Sequence, residues 1–158
     1  MQKFIYLFIV IVCGLILQIL LKQYLSIFEF CPEILLLTVI YYGFKYGCLF
    51  GEIYGFFAGL FLDIFSVAPF GSNSLCFTII GYIFGHLHKK LDETNIFVQI
   101  ILVLIGSYIY LLLMFFIFSL LSIHKFISIS NIVIVPFYNI IVSLIVFRIL
   151  EEIKLTKI

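Results

Sequence analysis

Few side chains in this 158-residue sequence can do chemistry: eight carboxylates, three histidines and four cysteines, set among 65% hydrophobic residues. Glu52 stands inside an apolar run, where a carboxylate is costly and by default a functional candidate. The structural alternative is an ion pair with Lys45 or Lys89. Asp63 ends the same run and is followed by Pro69, Gly71 and Asn73, so its plainest role is a brace that accepts backbone N–H groups of the next loop. His86 and His88 are two apart, which on a helix sends them to different faces, and His124 is far along the chain. No metal site follows. Cys13, Cys31, Cys48 and Cys76 form no C-x-x-C or other ligand spacing and read as small buried hydrophobes. There is no Ser/His/Asp set, no pair of intramembrane aspartates and no phosphate loop. The expectation is a protein without catalytic residues, metal or cofactor.

The most regular pattern is made of glycine. Gly43, Gly47, Gly51, Gly55 and Gly59 recur every fourth residue and Asp63 takes the next rung; half of the ten glycines lie here. Small residues at this spacing let helix backbones approach closely in lipid, where burying apolar surface gives no preference for protein over acyl chain. On one helix such a stripe turns by about 40° per rung, enough to touch more than one neighbour. Gly81-x-x-x-Gly85 is its natural mate. The seam then serves packing inside the chain, with an oligomer or partner interface as the alternative.

These residues sit in a chain that is only 11% charged, with a mean hydropathy of +1.34. A soluble domain is excluded, since such domains are about 25% charged. Six apolar runs can be drawn, over residues 4–21, 32–44, 47–65, 70–85, 96–121 and 127–148. At about 20 residues per crossing they occupy nearly the whole length, so the expectation is one integral membrane domain, an all-α bundle of about six transmembrane helices. Met1-Gln2-Lys3 precedes the first run, but no small-x-small cleavage site follows, and the run reads as a retained helix. Pro32 suits a first helical turn. Lys45 follows a short second run and is expected to snorkel to the surface. Pro136, Tyr138 and Asn139 interrupt the last run, as a kink or a polar crevice. The net charge of +1 leaves no basic face for nucleic acid.

Orientation follows from the positive-inside bias. With six spans and the N-terminus inside, Lys3, Lys45, Lys89, Lys90, Arg148, Lys154 and Lys157 fall on the cytoplasmic side, and Lys22 and Lys125 outside. Fusing the second and third runs would put Lys89 and Lys90 opposite Lys3. Both termini are therefore expected in the cytoplasm, and Glu29, Pro32 and Glu33 at the outer face with the segment from Asp63 to Gly71.

Three blocks together resemble the rod shape-determining MreD family of bacteria. The first is Phe30-Cys31-Pro32-Glu33 opening the apolar stretch Ile34 to Tyr42. The second is Gly51-Glu52-Ile53-Tyr54-Gly55-Phe56-Phe57-Ala58-Gly59-Leu60-Phe61-Leu62-Asp63-Ile64-Phe65 with Pro69-Phe70-Gly71 after it, similar to the family's G-x-x-x-G-x-x-x-D-L segment. The third is Cys76 to Gly85. The resemblance covers roughly residues 30–90 and implies family-motif positions at Pro32, Glu33, Glu52, Asp63 and Gly71. It also implies a multi-pass subunit of the cell-elongation machinery in the bacterial cytoplasmic membrane, a scaffold that binds the bitopic protein MreC and through it MreB and the peptidoglycan synthases. Lipid and a second copy of the chain are further expected contacts.

The family is similar in fold to the substrate-binding components of energy-coupling-factor vitamin transporters, and such a component is the main alternative. A vitamin site should gather polar and aromatic side chains near the outer face, whereas Asp63, Asn73, Asn131 and Asn139 form no evident cluster in the sequence. Lipoprotein signal peptidases have similar length but need two outer aspartates, and only Asp63 qualifies. Reporter fusions test the orientation: those after Lys90 and Ile158 should report cytoplasm and one after Ser66 the opposite side. A non-cytoplasmic signal after Lys90 would sink the six-span topology.

Overall fold

The computed structural model describes residues 2–24, 32–92, 95–122 and 129–155. Phe30, Cys31, His124, Lys125, Lys157 and the first two residues of the 127–148 run lie outside them. Six helices follow in order: α1 (Gln2–Tyr24), α2 (Ile34–Tyr46), α3 (Cys48–Phe65), α4 (Ser72–Gly85), α5 (Ile96–Leu120) and α6 (Ile129–Leu155), with no strand among the described residues. α3, α5 and the Ile132–Glu152 part of α6 are each long and apolar enough to cross a membrane, while Phe8–Leu21, α2 and α4 are shorter apolar helices. Large apolar side chains stay exposed along α1, α3, α5 and α6, as they do when lipid replaces water as the solvent. This is an all-α membrane protein.

The shortest helix is the centre. Every residue of α2 from Ile34 to Phe44 is buried, and α2 touches each of the other five helices. A 13-residue helix rises only about 20 Å, too short for a lipid-facing span, but enclosure by protein removes that requirement. A helix buried on all sides is apolar all round, which is why Ile34-Leu35-Leu36-Leu37-Thr38-Val39-Ile40 shows no polar face. Within it Thr38 Oγ1 donates to the Leu35 carbonyl at 2.8 Å and accepts from Tyr54 Oη at 3.1 Å.

Gly47 divides the glycine ladder between two helices. Its φ of +93° is open to glycine at little cost, and it turns the chain back after one residue. α2 and α3 then lie antiparallel, with Tyr54 meeting Thr38 and the Tyr42 and Tyr54 rings 4.7 Å apart. Gly43 therefore belongs to α2, and Gly51, Gly55 and Gly59 to α3. A methyl on Gly51 would sit 2.8 Å from the Cα of Gly43. The ladder is folded upon itself.

α3 and α4 meet backbone to backbone. A Cβ on Gly55 would collide with the Phe77 carbonyl, one on Gly59 with the backbone of Ser74, one on Gly81 with the Gly51 carbonyl and one on Gly85 with the backbone of Cys48. All these glycines are buried. Gly43 approaches the same place from α2, since a Cβ there would lie 2.9 Å from the Gly81 oxygen. Three backbones thus converge at Gly43, Gly51 and Gly81, on contacts that any side chain would prevent.

α6 runs parallel to α2 at a constant offset of 106 residues, pairing Glu33 with Asn139, Tyr41 with Phe147 and Lys45 with Glu151. It runs on as helix through Pro136. Lys45 does not reach out to the surface: its Nζ donates to Tyr41 Oη at 2.8 Å, lies 3.7 Å from Glu151 and is 4.8 Å from the Tyr41 ring centre. Instead of the surface that Lys45 was expected to reach, the covering helix α6 supplies a carboxylate, Glu151.

Substitutions in the seam and at a turn separate crowding from strain. Gly55→Leu and Gly81→Ala should each lose about 1 to 3 kcal/mol or more by overpacking and lower the unfolding temperature in detergent. Gly71→Ala should cost only about 1 kcal/mol, because φ is +93° there but nothing lies within 4 Å of the new methyl. Wild-type melting for Gly55→Leu would place α3 and α4 further apart than described.

Candidate functional site: the buried polar end of the bundle

α2 and α4 both begin inside the protein, at the same end of the bundle. The first N–H groups of a helix have no partner in their own helix, and where water is excluded they must be satisfied by other groups. Neither helix caps itself with a side chain of its N-cap residue, Glu33 or Gly71. Both are capped from neighbouring helices.

For α4 the acceptor is Asp63, 4% exposed at the end of α3. Oδ1 accepts from the Asn73 N–H at 3.1 Å and from Asn73 Nδ2 at 2.8 Å, and Oδ2 accepts from the N–H groups of Gly71 and Ser74, each at 3.0 Å. Four donors converge on one carboxylate. The negative charge also sits at the positive end of the α4 dipole. Gly71 is left-handed, with φ +93° and ψ −12°, and so turns its own N–H toward Asp63. The register follows from the ladder: Gly51, Gly55 and Gly59 place α3 so close to α4 that the next rung meets the first turn.

For α2 the caps come from α1 and α6. The Leu35 N–H donates to Gln18 Oε1 at 3.1 Å and the Glu33 N–H to Asn139 Oδ1 at 2.9 Å. Gln18 Nε2 donates in turn to Glu33 Oε2 at 2.7 Å. Asn139, wholly buried, donates through Nδ2 to Ser107 Oγ at 2.9 Å.

α5 joins the two groups. Ser107 and Tyr110 are three residues apart on α5 and so share a face; Ser107 takes the Asn139 amide, and Tyr110 Oη donates to Asn73 Oδ1 at 2.8 Å. The result is a band running from Gln18 through Glu33, Asn139 and Ser107 to Tyr110, Asn73 and Asp63. The sequence shows no such cluster, because its members come from five helices and the N-cap of α2 and are up to 121 positions apart. Gln18, Ser107 and Tyr110 escaped notice there; the available signal was an uncharged polar residue alone in an apolar run.

Other candidates stand apart. Pro32 is buried beside this end. Glu52 lies half-exposed near the opposite end of α3, and Lys45 pairs with Glu151 rather than with it. At that opposite end His86 Nδ1 lies 2.9 Å from Cys48 Sγ, and His88 Nδ1 2.9 Å from the Phe44 carbonyl oxygen. Among the described residues no three His, Cys, Asp or Glu side chains gather as a metal site would require. The crevice between Tyr41, Lys45, Gln99 and Glu151 measures about 10 Å³, room for about one water and not for a solute.

The fold and this polar end define a helical membrane protein whose buried polar groups bond one another. The model of the family "rod shape-determining protein MreD" matches residues 1–153, nearly the whole chain. The chain belongs to the MreD family and has a role in rod-shape determination. Neither the curated proteins nor the solved structures contain a match.

Asp63→Asn keeps the shape but turns an acceptor into a donor against two backbone N–H groups, and should cost about 2 to 4 kcal/mol. Tyr110→Phe should cost about 1 to 2 kcal/mol by leaving Asn73 Oδ1 without its donor. Glu52→Gln should stay within about 0.5 kcal/mol of wild type. Unfolding in detergent, followed by circular dichroism, ranks the three; Asp63→Asn as mild as Glu52→Gln would refute the capping role.

Proposed function

We propose that this chain is a non-catalytic scaffold of the cell-elongation machinery that holds a single-span MreC-like partner in the bacterial cytoplasmic membrane. It crosses the membrane six times as one domain, with both termini in the cytoplasm and the Asp63 end outward. Through the partner it is linked to MreB inside and to peptidoglycan synthases outside. The observation that carries the reading is the family match over residues 1–153. The chemistry agrees with it: the polar side chains of the buried end are engaged with one another, which suits a rigid body better than a site that must open to a substrate.

The glycine seam is already occupied between α2, α3 and α4, so a partner or a second copy is held elsewhere. The exposed apolar faces of α1, α3, α5 and α6 supply the surface. Association there rests on van der Waals packing and a few hydrogen bonds. In this reading Pro32, Glu33, Asp63 and Gly71 shape the bundle that presents those faces.

The alternative is a solute-binding component like those of energy-coupling-factor transporters. Polar side chains do converge near Asp63, as such a site requires, but each is bonded to a protein partner.

Co-expression with an MreC-like protein, with a tag on either chain, is the test. Copurification should survive removal of the partner's extracytoplasmic domain and be lost when its transmembrane helix is replaced. Purification alone with a bound small molecule, or together with an ATPase module, would establish the solute-binding reading instead.

A further inference from the structure

The loop between α3 and α4, residues 66–71, has the polarity of a lipid-facing surface. Val67 is 98% exposed and Phe70 70%, and Phe65 and Ile64 beside them are more than half exposed. No residue from Ile64 to Leu75 carries a charge. The nearest charge, Asp63, is turned inward onto Gly71, Asn73 and Ser74. Ser66 and Ser72 are likewise engaged within the loop, as acceptor for Asn73 Nδ2 and as donor to the Pro69 carbonyl. The α4–α5 connection is the contrast within the same molecule, since His86-Leu87-His88-Lys89-Lys90-Leu91-Asp92 presents its charges outward.

Continuity and length identify what covers the tip. Leu49, Ile53, Phe56, Phe57 and Ile64 are exposed along one side of α3, and Leu75 continues that surface onto α4. This apolar stripe of the hairpin runs into the loop without a charged residue, with Ser66 alone polar between Phe65 and Val67. α3 has 18 residues and rises about 27 Å, slightly less than the ~30 Å hydrocarbon core. Val67 and Phe70 supply the missing length. Among the described residues no acceptor meets the N–H of Val67, Ala68 or Phe70, a state that needs headgroup oxygens or interfacial water and is not tolerated deep in hydrocarbon.

We propose that the 66–71 loop is a lipid anchor: Val67 and Phe70 insert among the acyl chains just below the headgroups, while the N–H groups of Val67, Ala68 and Phe70 face headgroup oxygens. The Asp63 cap holds the loop rigid enough to fix the depth of the hairpin. This rests on the membrane character of the chain and not on its partner.

The sequence contains no tryptophan, so a single introduced one reports without background. Phe70→Trp and, separately, Val67→Trp are placed in the full chain and reconstituted in phosphatidylcholine vesicles, with Phe57→Trp, at the midpoint of α3, as a mid-membrane reference and Leu91→Trp as an aqueous one. Both loop tryptophans should be quenched by lipids brominated near the glycerol end of the acyl chain more than by lipids brominated near its terminus, and their iodide quenching should be at least threefold weaker than at position 91. Iodide quenching equal to that at position 91 would overturn the anchor in favour of an aqueous loop. Protection from both quenchers would overturn it in favour of a covering protein surface, including a second copy of the chain. Val67 is nearly free of contacts, so a folding failure of the Phe70 variant leaves the test intact.

Discussion

A backbone N–H with no water to turn to governs this structure. Two of the six helices start inside the protein instead of at its surface, and an uncapped start in a water-free interior would leave several donors unpaired, each costing several kcal/mol. Asp63, Gln18 and Asn139 meet that demand from α3, α1 and α6. The polar end of the bundle is a consequence of helix termination, and its members are joined because the same short helices must be closed from several sides.

The glycine seam and the caps depend on each other. Asp63 reaches the first turn of α4 only because α3 and α4 lie in backbone contact, and that contact is possible only where Gly51, Gly55, Gly59, Gly81 and Gly85 carry no side chain. The close approach gains van der Waals contact, which is what drives helix association in lipid. The four bonds to Asp63 in turn fix the register. Sliding α3 by one turn would separate the carboxylate from its donors and drive side chains into the opposite backbone.

A centre made of one apolar helix distributes its polar partners to the two ends. At one end α6 gives Asn139 to the start of α2, and at the other it gives Glu151 to Lys45, so one parallel helix braces α2 at both termini. The outward faces of the helices are largely apolar. For a protein with a role in shape determination, such a body provides a stable membrane-facing surface while its polar groups are committed within.

The sequence by itself determined the helical membrane class, the six apolar runs and the glycine periodicity, because lipid imposes a length and a polarity on each crossing and helical spacing is local. It also marked Asp63 as a brace, since a carboxylate followed by Pro69 and Gly71 signals a capped turn. What sits across from what was decided by the tertiary structure. The reversal at Gly47 sends Gly43 and Gly51 toward each other from two helices, whereas a straight stripe and a folded one share the same fourfold spacing. Lys45 found Glu151 instead of water or Glu52, and Gln18, Ser107, Tyr110 and Asn139 became one band. Such pairings depend on the order in which helices surround α2, and that order is set by side-chain packing between segments more than a hundred residues apart, which no local pattern records.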